Sequence, residues 1–152
     1  MLEIELQNTS EAGEVPPPEL FRRWAVAALL RRPRAEVVIR IVDREESAEL
    51  NQRYRHQSGP TNVLSFPFRV PQGVPNELLG DLVICAPVVR QEAETQGKRV
   101  EAHWAHMTVH GLLHLQGFNH IEEDDAAIME AEEIVILEKL GFPSPYEEAT
   151  AA

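Results

Sequence analysis

A histidine cluster in the second half of the chain has the residue types and spacing best suited to chemistry. His110 and His114 stand four residues apart, so on a helix both project from one face. Gly117 can end that helix in a left-handed conformation and turn the chain back, which would bring His120 toward the other two. Three neutral imidazoles with one open position are typical of a catalytic zinc site. We therefore predict a metal-dependent hydrolase with His110, His114 and His120 as ligands of one Zn²⁺ ion.

The same spacing occurs in the H-E-x-x-H-x-x-G-x-x-H signature of metzincin proteases, but one residue differs. Gly111 stands where those proteases carry the glutamate that acts as general base. Three histidine ligands leave zinc with its full double charge, so bound water can ionise near neutral pH without a side-chain base. A metallopeptidase is thus the least favoured alternative, and a structural metal site is the other.

Further candidates surround this motif. His103 and His106 share its predicted helix, and we expect them to make polar contacts with neighbouring groups or with the ligands. A transition state that gathers negative charge would also need a nearby cation. The candidates are Arg53, Arg55 and Arg69, which flank the turn and strand at 56–68. Their spacing alone does not indicate which of them would act.

Composition limits the class of protein. The 152 residues fit one domain, 1–152, with a tail that we expect to be frayed from about residue 144. A hydrophobic fraction of 43% and a charged fraction of 26% are those of an ordinary globular protein, and no apolar run approaches the roughly 18 residues of a membrane helix. We therefore expect no membrane partner. A single cysteine, Cys85, cannot form an internal disulfide, which favours a cytoplasmic location.

The net charge of −11 argues against a nucleic-acid partner, DNA above all, but the charge is unevenly distributed. Residues 1–76 carry ten Lys/Arg and ten Asp/Glu, whereas residues 77–152 carry four against fifteen. The first half could therefore still present a local basic surface.

Hydrophobic periodicity, caps and turn residues predict an α+β fold, a small four-stranded mixed sheet with about five helices and the metal site on a helix-turn. One strand–helix–strand unit, 35–68, is clear. The predicted strands are 2–6, 35–42, 62–68 and 81–85, and the predicted helices are 16–31, 44–54, 87–96, 100–116 and 124–140. Asp43 is expected to cap the second helix.

Four separated motifs lie in order over about 60 residues. They are Pro60-Thr-Asn-Val-Leu-Ser-Phe-Pro67, Gly80-Asp-Leu-Val-Ile-Cys85, Glu101-Ala-His-Trp-Ala-His106 and His110-Gly-x-Leu-His114-Leu-x-Gly117-Phe-Asn-His120. Together they resemble the YbeY family, bacterial metal-dependent endoribonucleases of ribosomal RNA maturation.

The resemblance implies zinc held by the three motif histidines and an important arginine just before the first motif, which is Arg55 here. It also implies single-strand-specific cleavage of RNA in 16S rRNA 3′-end maturation and ribosome quality control, with ribosome or ribosomal-protein contacts. Asn62 and Asn119 stand where many members carry aspartate, which puts a role for a carboxylate at those two positions in doubt. A ribosome-associated assembly factor with a mainly structural metal is the alternative from another class.

Overall fold

Within the residues that the structure describes, the fold is a four-stranded sheet with five helices, as the sequence predicts. The structure is a computed structural model and describes residues 2–29, 34–68, 78–118 and 122–146. The strands are β1 (Leu2–Asn8), β2 (Ala35–Val42), β3 (Val63–Pro67) and β4 (Leu78–Cys85), and the helices are α1 (Pro18–Ala28), α2 (Arg44–Arg55), α3 (Ala86–Gln96), α4 (Val100–Leu115) and α5 (Glu123–Lys139).

The sheet has the order β1-β2-β4-β3 and is mixed. β1 runs parallel to β2 and β2 runs parallel to β4, while β3 pairs with β4 in the antiparallel direction. The predicted strand–helix–strand unit 35–68 is present as β2, α2 and β3, but its two strands are not neighbours in the sheet. β4 is inserted between β2 and β3, and the parallel unit whose strands are neighbours is β1-α1-β2.

Alternation along the strands builds the main core on one face of the sheet. Ile39 and Ile41 of β2 and Leu82 and Ile84 of β4 are fully buried there and belong to one hydrophobic cluster. Residues two apart in a strand share a face, so this pattern fixes which side of the sheet the helices cover. A smaller cluster, which includes Cys85, occupies the other face.

Helix α4 lies at the centre of the molecule, against the sheet and between other helices. It contacts α1, α3, α5, β3 and β4. Gly111 faces the sheet: a Cβ atom there would lie 2.7 Å from Leu82 Cδ2 and 3.2 Å from Val63 Cγ2. A glutamate at this position would therefore point into the packed sheet, which is a steric reason for the departure from the protease signature.

Two helix termini test the cap predictions. Gly117 follows the end of α4 with a φ of +102°, a conformation that glycine adopts readily, so the predicted turn is present. Asp43 occupies the N-cap position of α2, but its side chain does not cap that helix. Its carboxylate instead accepts hydrogen bonds from Ser10 Oγ and from the backbone N–H of Glu11 at 2.9 Å, and so fastens the chain after β1.

Among the described residues, no helix combines the length and the apolar character needed to cross a membrane.

Candidate metal centre and cleavage site

A cavity of about 880 Å³ lies beside α4 and brings the predicted site residues together. His110 and His114 line it from α4, Arg55 lines it from the end of α2, and Glu133 lines it from α5. The remaining lining residues include three polar groups in or just before β3, one further carboxylate on α5 and two aromatic residues: Thr61, Asn62, Ser65, Glu130, Phe118 and Tyr146.

Glu133 is a fully buried carboxylate at the inner wall of this cavity. His110 Nδ1 donates to its Oε1 at 2.6 Å, and His106 Nε2 donates to its Oε2 at 2.8 Å. The Tyr146 hydroxyl also donates to Oε2, at 2.5 Å. An ionised carboxylate has no hydrogen to donate and acts only as an acceptor, so these three donors satisfy the buried charge.

The electrostatics of Glu133 follow from these contacts. Burial alone would raise the pKa of its carboxyl group, but hydrogen bonds and charge interactions with His106 and His110 outweigh burial and lower this pKa to about 2. Burial, reinforced by the adjacent carboxylate, raises the pKa of Tyr146, so its hydroxyl stays protonated and able to donate.

The other nitrogens of the two motif histidines face each other. His110 Nε2 and His114 Nε2 are 3.1 Å apart. Because the Nδ1 of His110 carries the proton that faces Glu133, the Nε2 of a neutral His110 presents a lone pair toward His114. Two nitrogen ligands of a tetrahedral zinc, each at about 2.0–2.1 Å, lie roughly 3.3–3.4 Å apart, so the separation observed here fits one edge of such a site.

Two positions near these residues could hold a metal ion. His106, His110 and Glu133 each offer a ligand atom, and these atoms lie within 4.8 Å of one another. However, these groups already contact each other directly at 2.6 and 2.8 Å, which is shorter than the spacing of two ligands around one ion. The pair of facing Nε2 atoms on the cavity side is the better donor set.

The structure places the other predicted residues as follows. His120, Asn119 and Arg69 lie outside the described residues. Of the two candidate arginines in the described residues, Arg55 lines the cavity whereas Arg53 does not.

The two remaining histidines of α4 make the polar contacts that the sequence analysis expects. His103 donates from Nε2 to Glu92 Oε1 at 2.9 Å, and His106 reaches His110 through their shared carboxylate, Glu133. Trp104 and Met107, on the same helix, are buried in the core.

Asn62 takes part in a second polar network at the cavity edge. Its Nδ2 donates to both carboxylate oxygens of Glu92, at 3.1 and 3.2 Å, and its Oδ1 accepts from the backbone N–H of Val63 at 2.7 Å. Glu92 also accepts from His103. In this chain position 62 therefore needs a donor and an acceptor, which an amide supplies and an ionised carboxylate does not.

Replacing Asn62 by aspartate should destabilise the fold. It would put a second carboxylate next to Glu92 and remove one donor, at a cost on the order of 1–3 kcal/mol in the free energy of unfolding. Urea denaturation at neutral pH measures the loss of unfolding free energy. This loss should be smaller in acid, where protonation removes one of the two negative charges. Asn8→Asp is the matched control, because exposed Asn8 only accepts a hydrogen bond, from Ser10 N–H. Equal stability of the two variants would contradict this explanation.

Glu133 and Tyr146 are not among the site residues predicted from the sequence. A signal for Glu133 was present, since Met129, Glu133 and Leu137 stand four residues apart on α5 and all three are buried. A charged residue within an apolar stripe is unusual and calls for a buried partner. Tyr146 falls in the tail that was expected to be frayed. Its ring nevertheless packs against His106, with ring centroids 5.6 Å apart, while residues 147–152 lie outside the described part.

Comparison with known proteins gives a consistent result. The family model described as "Endoribonuclease YbeY" matches residues 6–141. Proteins named "Endoribonuclease YbeY" from Methylococcus capsulatus and Nitrosococcus oceani are 66% and 52% identical, over 97% and 95% of this chain and 97% and 96% of their own lengths.

A solution structure of a Thermotoga maritima protein has the same fold, with a TM-score of 0.61, 24% identity and complete coverage of both chains. Given the match of the family model and relatives of this similarity, the chain belongs to the YbeY family.

Proposed function

We propose that this protein is a zinc-dependent, single-strand-specific endoribonuclease that acts in 16S rRNA 3′-end maturation and ribosome quality control. The observation that carries the proposal is the facing pair of His110 and His114 Nε2 atoms, 3.1 Å apart, in a cavity that Arg55 also lines. The name shared by the relatives supports RNA as the substrate. A cytoplasmic location and contacts with the ribosome or its proteins belong to the same proposal.

Each residue of the site has a separate role in this proposal. His110 and His114 would hold the ion through Nε2, and His120 would be the third ligand, an assignment supported by the turn at Gly117. A bound zinc ion would supply a Lewis acid for a phosphoryl oxygen and would lower the pKa of water. Arg55 would hold the phosphate and offset the negative charge that develops in the transition state.

The described surface offers an opening for this chemistry. A second, smaller cavity of about 450 Å³ is also lined by Arg55 and by Thr61, so a polynucleotide strand could follow both cavities past the arginine. Arg55 is exposed at this junction, where a phosphate can reach it without displacing core residues.

A ribosome-associated assembly factor with a mainly structural metal is the second candidate. The net charge of −11 favours it, because an acidic chain has weak intrinsic affinity for RNA and would need a partner to deliver it. A metallopeptidase is a weaker candidate, since Gly111 packs on Leu82 where a general base would be required.

Removal and return of the metal test the proposed activity. A chelator should abolish cleavage of an unstructured RNA, and Zn²⁺ added in small excess should restore it, while a perfect RNA duplex should resist cleavage throughout. The measurement is the appearance of labelled fragments on a denaturing gel, with circular dichroism to show that the metal-free protein stays folded. Persistent cleavage in chelator would contradict the proposal. Product ends would identify the nucleophile, because a 2′,3′-cyclic phosphate indicates attack by the 2′-OH of the RNA.

A further inference from the structure

Glu133 has no part in the proposed chemistry, yet its buried carboxylate accepts three hydrogen bonds at the cavity. We propose that Glu133 is a positioning residue that fixes the His110 ring with its Nε2 lone pair toward the metal, and that Tyr146 and His106 hold Glu133 in place. The inference rests on the proposed metal site between His110 and His114.

The hydrogen bond between His110 and Glu133 has a definite direction. A carboxylate accepts and does not donate, so the Nδ1 that lies 2.6 Å from Glu133 Oε1 carries a hydrogen. Neutral His110 is then the tautomer with a lone pair on Nε2, the atom that faces His114. Without this acceptor, the ring could carry its hydrogen on Nε2 or rotate about χ2, and either change would remove the ligand atom from the site.

Glu133 is itself held rigidly. Its side chain has no solvent exposure, and the helix around it is anchored by Met129, Ile136 and Leu137, each at most 2% exposed. Both carboxylate oxygens also accept hydrogen bonds, so the orientation of the carboxylate is fixed and is transmitted to the His110 ring. Precise orientation of a ligand by a fixed hydrogen-bond acceptor is the usual function of carboxylates behind metal-binding histidines.

The hydrogen bonds of Glu133 separate this role from direct metal binding. Oε2 of Glu133 already accepts from His106 Nε2 and from the Tyr146 hydroxyl, and Oε1 accepts from His110 Nδ1. An ion on Glu133 would displace one of these donors and would use the Nδ1 face of His110. The Tyr146 contact also brings the chain after α5 back over the site, so the C-terminal segment contributes to holding the carboxylate.

Zinc affinity of Glu133→Gln tests the proposal independently of RNA cleavage. The amide has nearly the same shape, but it has one acceptor oxygen for three donors and presents its NH₂ group to one of them. We expect zinc to bind about 10–100-fold more weakly, measured by competition with a chromophoric chelator. Glu130→Gln is the matched control, because it removes a carboxylate from the same cavity wall and the same helix, but an exposed one.

Two further variants complete the test. Glu133→Asp keeps the charge but is shorter, so it should also bind zinc more weakly, and it replaces Glu133→Gln if that variant does not fold by circular dichroism. His114→Ala reports on the ligand set. The absorption spectrum of the Co²⁺-loaded proteins shows whether the ligand set itself has changed, since band intensity and position follow coordination number and geometry.

Weaker zinc binding in the Glu133 variants with an unchanged Co²⁺ spectrum would support the proposal. Wild-type affinity in those variants, while His114→Ala loses zinc, would overturn the role of Glu133 and leave the metal site intact. A Co²⁺ spectrum that changes in Glu133→Gln would overturn it by making Glu133 a ligand. Wild-type affinity in His114→Ala would overturn both the metal site and this inference.

Discussion

His114→Ala should abolish RNA cleavage. His114 supplies one of the two facing Nε2 atoms, and its loss removes a ligand and the site for the ion. We expect a drop of ~10³-fold or more in the cleavage rate, which corresponds to about 4 kcal/mol of transition-state stabilisation. The measurement is the single-turnover rate on a ribosomal RNA fragment with an unprocessed 3′ end, together with zinc content by atomic absorption.

The control for this variant must exclude a contaminating nuclease. His56→Asn, purified in the same way, also removes one imidazole, and asparagine tolerates the left-handed backbone of His56, whose φ is +56°. This variant should keep its zinc. Equal cutting by wild type and His114→Ala would show that the site is not the nuclease centre, and the assembly-factor function would then be favoured.

Arg55→Ala should separate catalysis from metal binding. Arg55 lines the cavity with the two histidines, and a guanidinium there can offset charge on the reacting phosphate. We expect the cleavage rate to fall by about 10²–10³-fold while zinc affinity stays at the wild-type value. Arg55→Lys should recover part of the rate, because lysine keeps the charge but loses the planar pair of donors.

Arg53→Ala is the matched control for Arg55→Ala. It removes the same charge from the same end of α2, and Arg53 is exposed like Arg55 but does not line the cavity. Comparable loss of rate in Arg53→Ala and Arg55→Ala would indicate that general attraction for RNA, rather than a placed guanidinium, explains the effect. Loss of zinc from Arg55→Ala would also contradict the assigned role.

Much of the fold was predictable because its signals are local. The β-branched run of β2 gave the exact bounds 35–42, and the spacing of His110, His114 and Gly117 indicated a helix with two imidazoles on one face and a turn after it. The α+β class with a four-stranded mixed sheet followed from counting such elements. These features depend on residues close together in the chain.

The unpredicted features depend on partners far apart in the chain. The pairing of β2 with β4 instead of β3 leaves no trace in periodicity, and Asp43 binds Ser10, 33 residues away, instead of its own helix. Glu133 joins His110 across 23 residues. The spacing of the arginines left the choice between Arg53 and Arg55 to the family resemblance, because which of them lines the cavity depends on the direction in which the last turn of α2 faces.

The most direct test of the metal centre is an anomalous difference map from crystals of the zinc-loaded protein, recorded on both sides of the zinc absorption edge. We predict one peak on the cavity side of α4, about 2.0–2.1 Å from the Nε2 atoms of both His110 and His114, with the contact between His110 Nδ1 and Glu133 preserved. A peak among His106, His110 Nδ1 and Glu133 would contradict the proposed centre and would make the buried carboxylate a metal ligand.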